Sequence, residues 1–133
     1  LIIGGLFFYN SLTLTTDFGQ NKLVLSLIDI AGKQGLVQGV EMNMDESDDS
    51  TCVGINESNW KEVRSALDNN GLKLIGVAPN LWGGVDFVNG TLGAADPKIR
   101  ALALDTIKRA IDLASEAGSP FINIWPGQDG STS

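Results

Sequence analysis

Histidine is absent from these 133 residues, and cysteine occurs once, as Cys52. A single cysteine allows no internal disulfide and fits a reducing, cytoplasmic setting. A catalytic thiol would want an imidazole beside it, and the chain offers none, so Cys52 reads as an ordinary loop residue. Cationic side chains are scarce: 9 Lys and Arg stand against 16 Asp and Glu, a net charge of −7. That balance argues against a nucleic-acid partner, which would leave a basic patch, and against an anionic membrane surface. Long hydrophobic runs are missing too. Residues 1–9 are apolar but too short to span a bilayer, and they lack the basic flank and cleavage site of a signal peptide. No G-x-G-x-x-G follows a strand pattern and no Walker A pattern occurs, so neither phosphate-cradling motif is present. Asp17-Phe18-Gly19 spells a kinase triplet without its context. Residues 44–55 are acidic, with Asp45, Glu46, Asp48 and Asp49, but the ligand spacing and central glycine of a calcium loop are absent. They read as a solvated loop.

What remains is an ordinary globular composition, 43% hydrophobic and 19% charged, of a size for one small domain. The stretch that organises it is 72–83. Leu72, Leu74, Ile75, Val77 and Ala78 form a nearly continuous apolar run, which suits a parallel strand covered on both faces. Pro79 stops it, because proline cannot donate to a ladder. Further strands are expected at 2–9, 37–43 and 121–125. Between them fall helix patterns. The first covers 20–34, with Leu23, Leu27, Ile30 and Ala31 on one face and Gly35 as its stop. The second covers 57–69, with Asn56 as N-cap and Trp60, Val63 and Leu67 inward. The third runs from the Asp96 cap and Pro97 to Gly118, with a stripe of Ile99, Ala103, Ile107, Ala110, Ile111, Ala114 and Ala117. The order is β-α-β-α-β-α-β. Right-handed crossovers then give a parallel sheet ordered 1-2-3-4, as in one half of a (β/α)₈ barrel. Both ends of the chain look like cuts, so the expectation is a partial barrel domain over 1–133, truncated after strand 4.

In a parallel α/β fold the ligand site lies at the carboxyl ends of the strands. Glu41 and Asn43 end the second strand, and Asn80 and Trp82 follow the third. Asn123 lies within the fourth, with Trp125, Gln128 and Asp129 at its end. Amides and carboxylates exchange hydrogen bonds with hydroxyls, and the C–H face of a sugar stacks on indole. Asn43 and Asn80 could equally cap the helices that follow, and Trp60 reads as a core anchor.

Four segments carry a family resemblance. They are Gly-Val-Glu-Met-Asn at 39–43, Gly-Val-Ala-Pro-Asn-Leu-Trp-Gly at 76–83, Asp-Pro-Lys-Ile-Arg at 96–100 and Asn-Ile-Trp-Pro-Gly-Gln-Asp-Gly at 123–130. Over about residues 24–130 the chain resembles the xylose isomerase-like TIM-barrel superfamily, in particular its sugar isomerase and sugar-phosphate isomerase/epimerase members. The resemblance implies a divalent-metal-dependent isomerase or epimerase acting on a monosaccharide or its phosphate. The metal (Mg, Mn, Co or Zn) would polarise the substrate oxygens, held by Glu, Asp and His at later strand ends. This chain has no counterpart to that histidine. What carries over is a substrate-binding wall of Glu41, Asn43, Asn80, Trp82, Trp125, Gln128 and Asp129. The parent protein is then the enzyme, and a chain of only these residues should lack catalysis, hold no metal and self-associate through its strand edges. The alternatives are an AP endonuclease-like member of the superfamily and a non-catalytic, sugar-binding half-barrel.

Overall fold

The computed structural model describes residues 4–6, 23–35, 37–47, 52–82 and 85–127. Three strands form one parallel sheet in the order β1-β2-β3: β1 Gly4–Leu6, β2 Gly39–Asn43 and β3 Lys73–Ala78. Three helices alternate with them: α1 Leu23–Gln34, α2 Trp60–Asn69 and α3 Pro97–Ala117. The expected parallel β/α order is therefore present. For the first strand only 4–6 lie among the described residues; the rest of 2–9 falls outside them.

The core lies between the sheet and the helices. Val40, Met42, Leu74 and Val77 from the strands meet Val24, Ile28 and Ala31 of α1, Val63 and Leu67 of α2, and Ala110, Leu113, Ala114 and Ala117 of α3. Side chains alternate across a strand, so β2 turns Val40 and Met42 to the helices and Glu41 and Asn43 to the opposite face. On that face Glu41 is half-buried and Asn43 exposed. In β3 the alternation is interrupted. Val40 pairs with Leu74 and Glu41 with Gly76, leaving Ile75 as an extra residue, a β-bulge. The bulge brings Gly76 opposite Glu41.

Capping chemistry sets α3 as expected. The Asp96 carboxylate accepts the Lys98 N–H at 2.8 Å, Pro97 occupies the first turn, and Gly118 closes the helix at φ 72°. Its buried stripe differs from expectation at one place. Leu113 is buried, whereas Ile111 is 49% exposed. Ile111 and Leu113 lie about 200° apart around the helix axis, and α2 packs on the Leu113 side, where Arg64 donates to the Ala117 carbonyl at 2.7 Å.

Two other expectations need correction. In α1 the buried face is Val24, Ile28 and Ala31, while Ile30 is exposed and Leu23 and Leu27 are half-buried. The run Leu-Val-Leu-Ser-Leu-Ile carries two apolar stripes one residue apart, and contact with α2 and the sheet chooses between them. In α2 the helix begins at Trp60 with Asn59, not Asn56, at the cap position. Asn56 instead caps the preceding turn: its Oδ1 accepts from Ser58 N at 3.0 Å and Asn59 N at 2.9 Å.

The fourth strand is reduced to one parallel bridge, Val77 to Ile122. Val77 N donates to the Phe121 carbonyl at 3.2 Å, and Asn123 N donates to the Val77 carbonyl at 2.9 Å. The pairing ends there because Pro79 has no N–H to give the Asn123 carbonyl and its own carbonyl accepts from Leu81 N at 3.0 Å, and the chain turns at Gly127, φ 75°. Even so, the bridge puts 121–123 beside β3, in the expected spatial order.

The described parts of the acidic loop, 44–47 and 52–55, are tied down by hydrogen bonds rather than merely solvated. Asp45 accepts backbone N–H groups from Ser47 and Val53, both at 2.9 Å. Asn56 Nδ2 donates to the Asp45 carbonyl at 2.7 Å, and Asn59 Nδ2 to the Gly54 carbonyl at 3.1 Å. Cys52 is fully buried within this network, with Asn59 Nδ2 3.4 Å from its sulfur. Arg109 of α3 closes the loop from outside through Glu46 at 2.7 Å and Glu57 at 3.1 Å. Its hydrogen bond holds the Glu57 carboxyl below the usual range.

Asp45 gives this loop a pH dependence. Burial raises its pKa, but the hydrogen bonds from Ser47 and Val53 outweigh burial, and the net shift is downward from 3.8. A depressed folded-state pKa means stability that is present above the unfolded value and lost as pH falls through the folded one. Asp45→Asn should therefore cost about 1 kcal/mol at pH 7. In urea unfolding from pH 7 to pH 3, the gap between wild type and variant should narrow below pH 4. A gap that stays constant with pH would show that the Asp45 charge contributes nothing.

Candidate functional site at the carboxyl edge of the sheet

The face of the sheet away from the helices is built in layers. At its base Ile75 packs against Gly39, where an added Cβ would lie 2.7 Å from Ile75 Cγ2. One step higher, the Phe121 ring lies over Gly76. A Cβ there would meet Phe121 at 2.8 Å and Glu41 Cγ at 3.2 Å. Only glycine lets the ring and the carboxylate stem approach the strand together. Beside Phe121, Asn123 Nδ2 donates to both carboxylate oxygens of Glu41, at 3.0 and 3.2 Å. An apolar base thus gives way to a polar layer on the way to the carboxyl edge.

The edge itself is shaped by β3's exit. Leu81 N donates to the Pro79 carbonyl at 3.0 Å, a tight three-residue turn. Leu81 is fully buried and clusters with Phe87, Ala103 and Ile107. Asn80 Oδ1 accepts from Trp82 N at 3.3 Å, so Asn80 caps this turn. It is not the cap of α3, a place taken by Asp96. Nor does Asn43 cap α2, which has Asn59 there; the Asn43 carbonyl accepts from Ile55 N at 3.0 Å, and its side chain is exposed at the end of β2.

The two tryptophans meet this edge from different segments. Thr91 is buried and its hydroxyl donates to the Pro126 carbonyl. Gly127 lies against Leu81: a Cβ there would be 2.6 Å from the Leu81 carbonyl oxygen and 3.1 Å from Thr91 Cγ2. The loop after β3 is therefore stitched to the end of the 121–127 segment. Trp82 follows Leu81 directly, and Trp125 precedes Gly127 by two residues. Trp82 is 61% exposed and Trp125 41% exposed, an uncommon state for large aromatic rings. Trp60, by contrast, packs against the core, as its helical spacing suggested.

Of the expected wall residues, the fold brings Glu41 to the inner face and Asn80, Trp82 and Trp125 to segments that touch one another. Gln128 and Asp129 lie outside the described residues. Asn123 and Phe121 contribute more than their sequence context suggested. Asn123 is 82 residues from Glu41, and Phe121 read only as strand filling. Gly76, inside an apolar run, was the available signal that something must approach the strand closely. For a metal, the described residues contain no group of three His, Cys, Asp or Glu able to hold one. These residues do not fit such an ion. Among the described residues no helix is long and apolar enough to cross a membrane.

Comparison with known proteins agrees with the parallel β/α fold. A family model described as xylose isomerase-like TIM barrel matches residues 28–133. The xylose isomerase of Thermus thermophilus is 35% identical over 71 residues, which is 53% of this chain and 18% of that protein. The xylose isomerase of Thermus caldophilus is 34% identical over 71 residues, with the same shares of 53% and 18%. The aligned part of the chain thus spans 18% of the length of these relatives.

Proposed function

Because the chain belongs to the xylose isomerase-like TIM-barrel family, we propose that it supplies one wall of the substrate site of a sugar isomerase or epimerase, with a monosaccharide or its phosphate as substrate. The observation that carries this reading is the inner face itself. A carboxylate and an amide, Glu41 and Asn123, are joined at 3.0 Å just below an edge bearing two exposed tryptophans. A sugar has both of the surfaces this arrangement recognises. Its hydroxyls donate to a carboxylate and accept from amides, and its C–H faces pack on an indole. Apolar cofactors would find little use for the polar layer, and anionic polymers would meet an acidic chain.

In this reading Trp125 and Trp82 are stacking surfaces, Asn80 and Asn43 contact hydroxyls at the rim, and Gln128 and Asp129 extend the wall. A divalent metal, when the complete protein binds one, would supply Lewis-acid polarisation of the sugar oxygens. Its ligands belong to residues other than those described. The proton or hydride transfer of an aldose–ketose interconversion is likewise assigned to groups outside this wall.

The test is turnover by the complete protein. With D-xylose and Mg²⁺ or Mn²⁺, formation of the ketose should be detectable. Trp125→Ala should weaken D-xylose binding at least tenfold, about 1.4 kcal/mol, without changing the thermal midpoint by more than a few degrees. Binding without turnover would point to a sugar-binding module. A complete protein that neither binds nor converts monosaccharides or their phosphates would overturn the reading.

A further inference from the structure

The Glu41–Asn123 contact joins residues far apart in sequence, on the half-buried face opposite the helices. We infer that Asn123 is a positioning residue. It holds the Glu41 carboxylate in one rotamer, so that Glu41 accepts hydrogen bonds from ligand hydroxyls entering past the tryptophans. This rests on the sugar reading above and names the two residues that form its polar base.

Three features support the assignment. Glu41 is flexible by nature, with three side-chain torsions, yet both of its oxygens are engaged by one amide nitrogen, at 3.0 and 3.2 Å. Its stem is confined as well, since a Cβ on Gly76 would lie 3.2 Å from Glu41 Cγ and 2.8 Å from the Phe121 ring. The bulge at Ile75 makes that confinement possible by setting Gly76, rather than a branched residue, opposite Glu41. Asn123 is held in turn, because its backbone N–H is bonded to the Val77 carbonyl at 2.9 Å. A carboxylate fixed in this way on an otherwise apolar base loses little further entropy on meeting a hydroxyl, which is the benefit of preorganisation. As an ionised group it also makes hydrogen bonds roughly twice as strong as neutral ones.

A simple structural pair would look similar, so the test separates stability from binding. In the complete protein, thermal midpoints and D-xylose dissociation constants are compared for wild type, Asn123→Leu, Glu41→Gln, Asn123→Asp and the swap Glu41→Gln/Asn123→Asp. The swap rebuilds an amide–carboxylate contact with the charge on the other segment. Asn123→Leu and Glu41→Gln should each weaken D-xylose binding tenfold or more. Asn123→Asp places two carboxylates together and should lower both midpoint and affinity. The swap should recover most of the midpoint but leave binding at least tenfold weaker than wild type. If the swap restores binding along with stability, or if Asn123→Leu and Glu41→Gln bind within twofold of wild type, Asn123 is a structural residue and this inference fails while the sugar reading stands. A wild-type protein that binds no sugar overturns both.

Discussion

Replacing Gly54 by alanine is expected to destabilise the fold by about 3 kcal/mol, near the top of the range for overpacking. Gly54 is buried in the short return that pairs with the end of β2. Asp45 N donates to the Ile55 carbonyl at 3.1 Å, and Ile55 N donates to the Asn43 carbonyl at 3.0 Å. A Cβ on Gly54 would overlap the Asn43 carbonyl oxygen and lie 2.8 Å from Asp45 Cβ. Neither atom can swing away as the tip of a long side chain could. Relief requires β2 and the 52–56 segment to separate, which breaks both of these backbone bonds. It also strips Asn59 Nδ2 from the Gly54 carbonyl and loosens the packing of Cys52 and Ile55, which are now fully buried. The thermal midpoint should fall by roughly 10 °C for a domain of this size. Urea unfolding of wild type and variant measures the difference, and a loss below 0.5 kcal/mol would mean that the loop does not brace β2.

Residues 1–133 produced alone are expected to self-associate or aggregate and to show no isomerase turnover. The face of the sheet opposite the helices carries Phe121, 49% exposed, and Ile124 and Trp125 later in the same segment are exposed as well. At the carboxyl edge Trp82, Val85, Val88 and Leu92 add exposed apolar surface, Val85 at 86%. Leu104 and Ile111 do the same on the flank of α3 away from α2. Exposed apolar side chains that join into contiguous patches above roughly several hundred Å² mark interfaces or aggregation. The strand edge compounds this, because 121–127 pairs with β3 at only one bridge and offers no lysine to blunt further pairing. Light scattering at increasing concentration should report species larger than one chain, and turnover with D-xylose and Mg²⁺ or Mn²⁺ should be absent. A monomer with a sharp cooperative transition would show that these surfaces are tolerated, and measurable turnover would place the chemistry in residues assigned here to the wall.

Much of the architecture could be read from local signals. The ends of α3 follow from Asp96, Pro97 and Gly118, because caps are satisfied by groups within a few residues. The β/α alternation follows from the change between strand-like and helical apolar patterns, and parallel order follows from crossover handedness. The errors are equally specific. Leu23, Leu27 and Ile30 were expected inside α1, yet Val24 and Ile28 are, since two overlapping stripes differ only in what they pack against. Asn56 carries the signature of a helix cap and uses it one turn early. Residues 121–125 have strand composition, but Pro79 has no N–H to extend the ladder and the Thr91 contact holds Pro126, so only one bridge forms.

The candidate site divides in the same way. Sequence alone determined which residues stand at the ends of β2 and β3, because strand periodicity and the Pro79 stop mark where those strands finish. It also determined their chemistry: carboxylate, amide and indole. The tertiary structure alone decided that Asn123 meets Glu41 across 82 positions, that Phe121 covers Gly76, and that Leu81 abuts Gly127 so that the segments bearing Trp82 and Trp125 share one edge. The reason is physical. Propensity and capping act within a turn or two of the chain, whereas register, the bulge at Ile75 and the choice of packing face are set by burial between elements far apart in sequence.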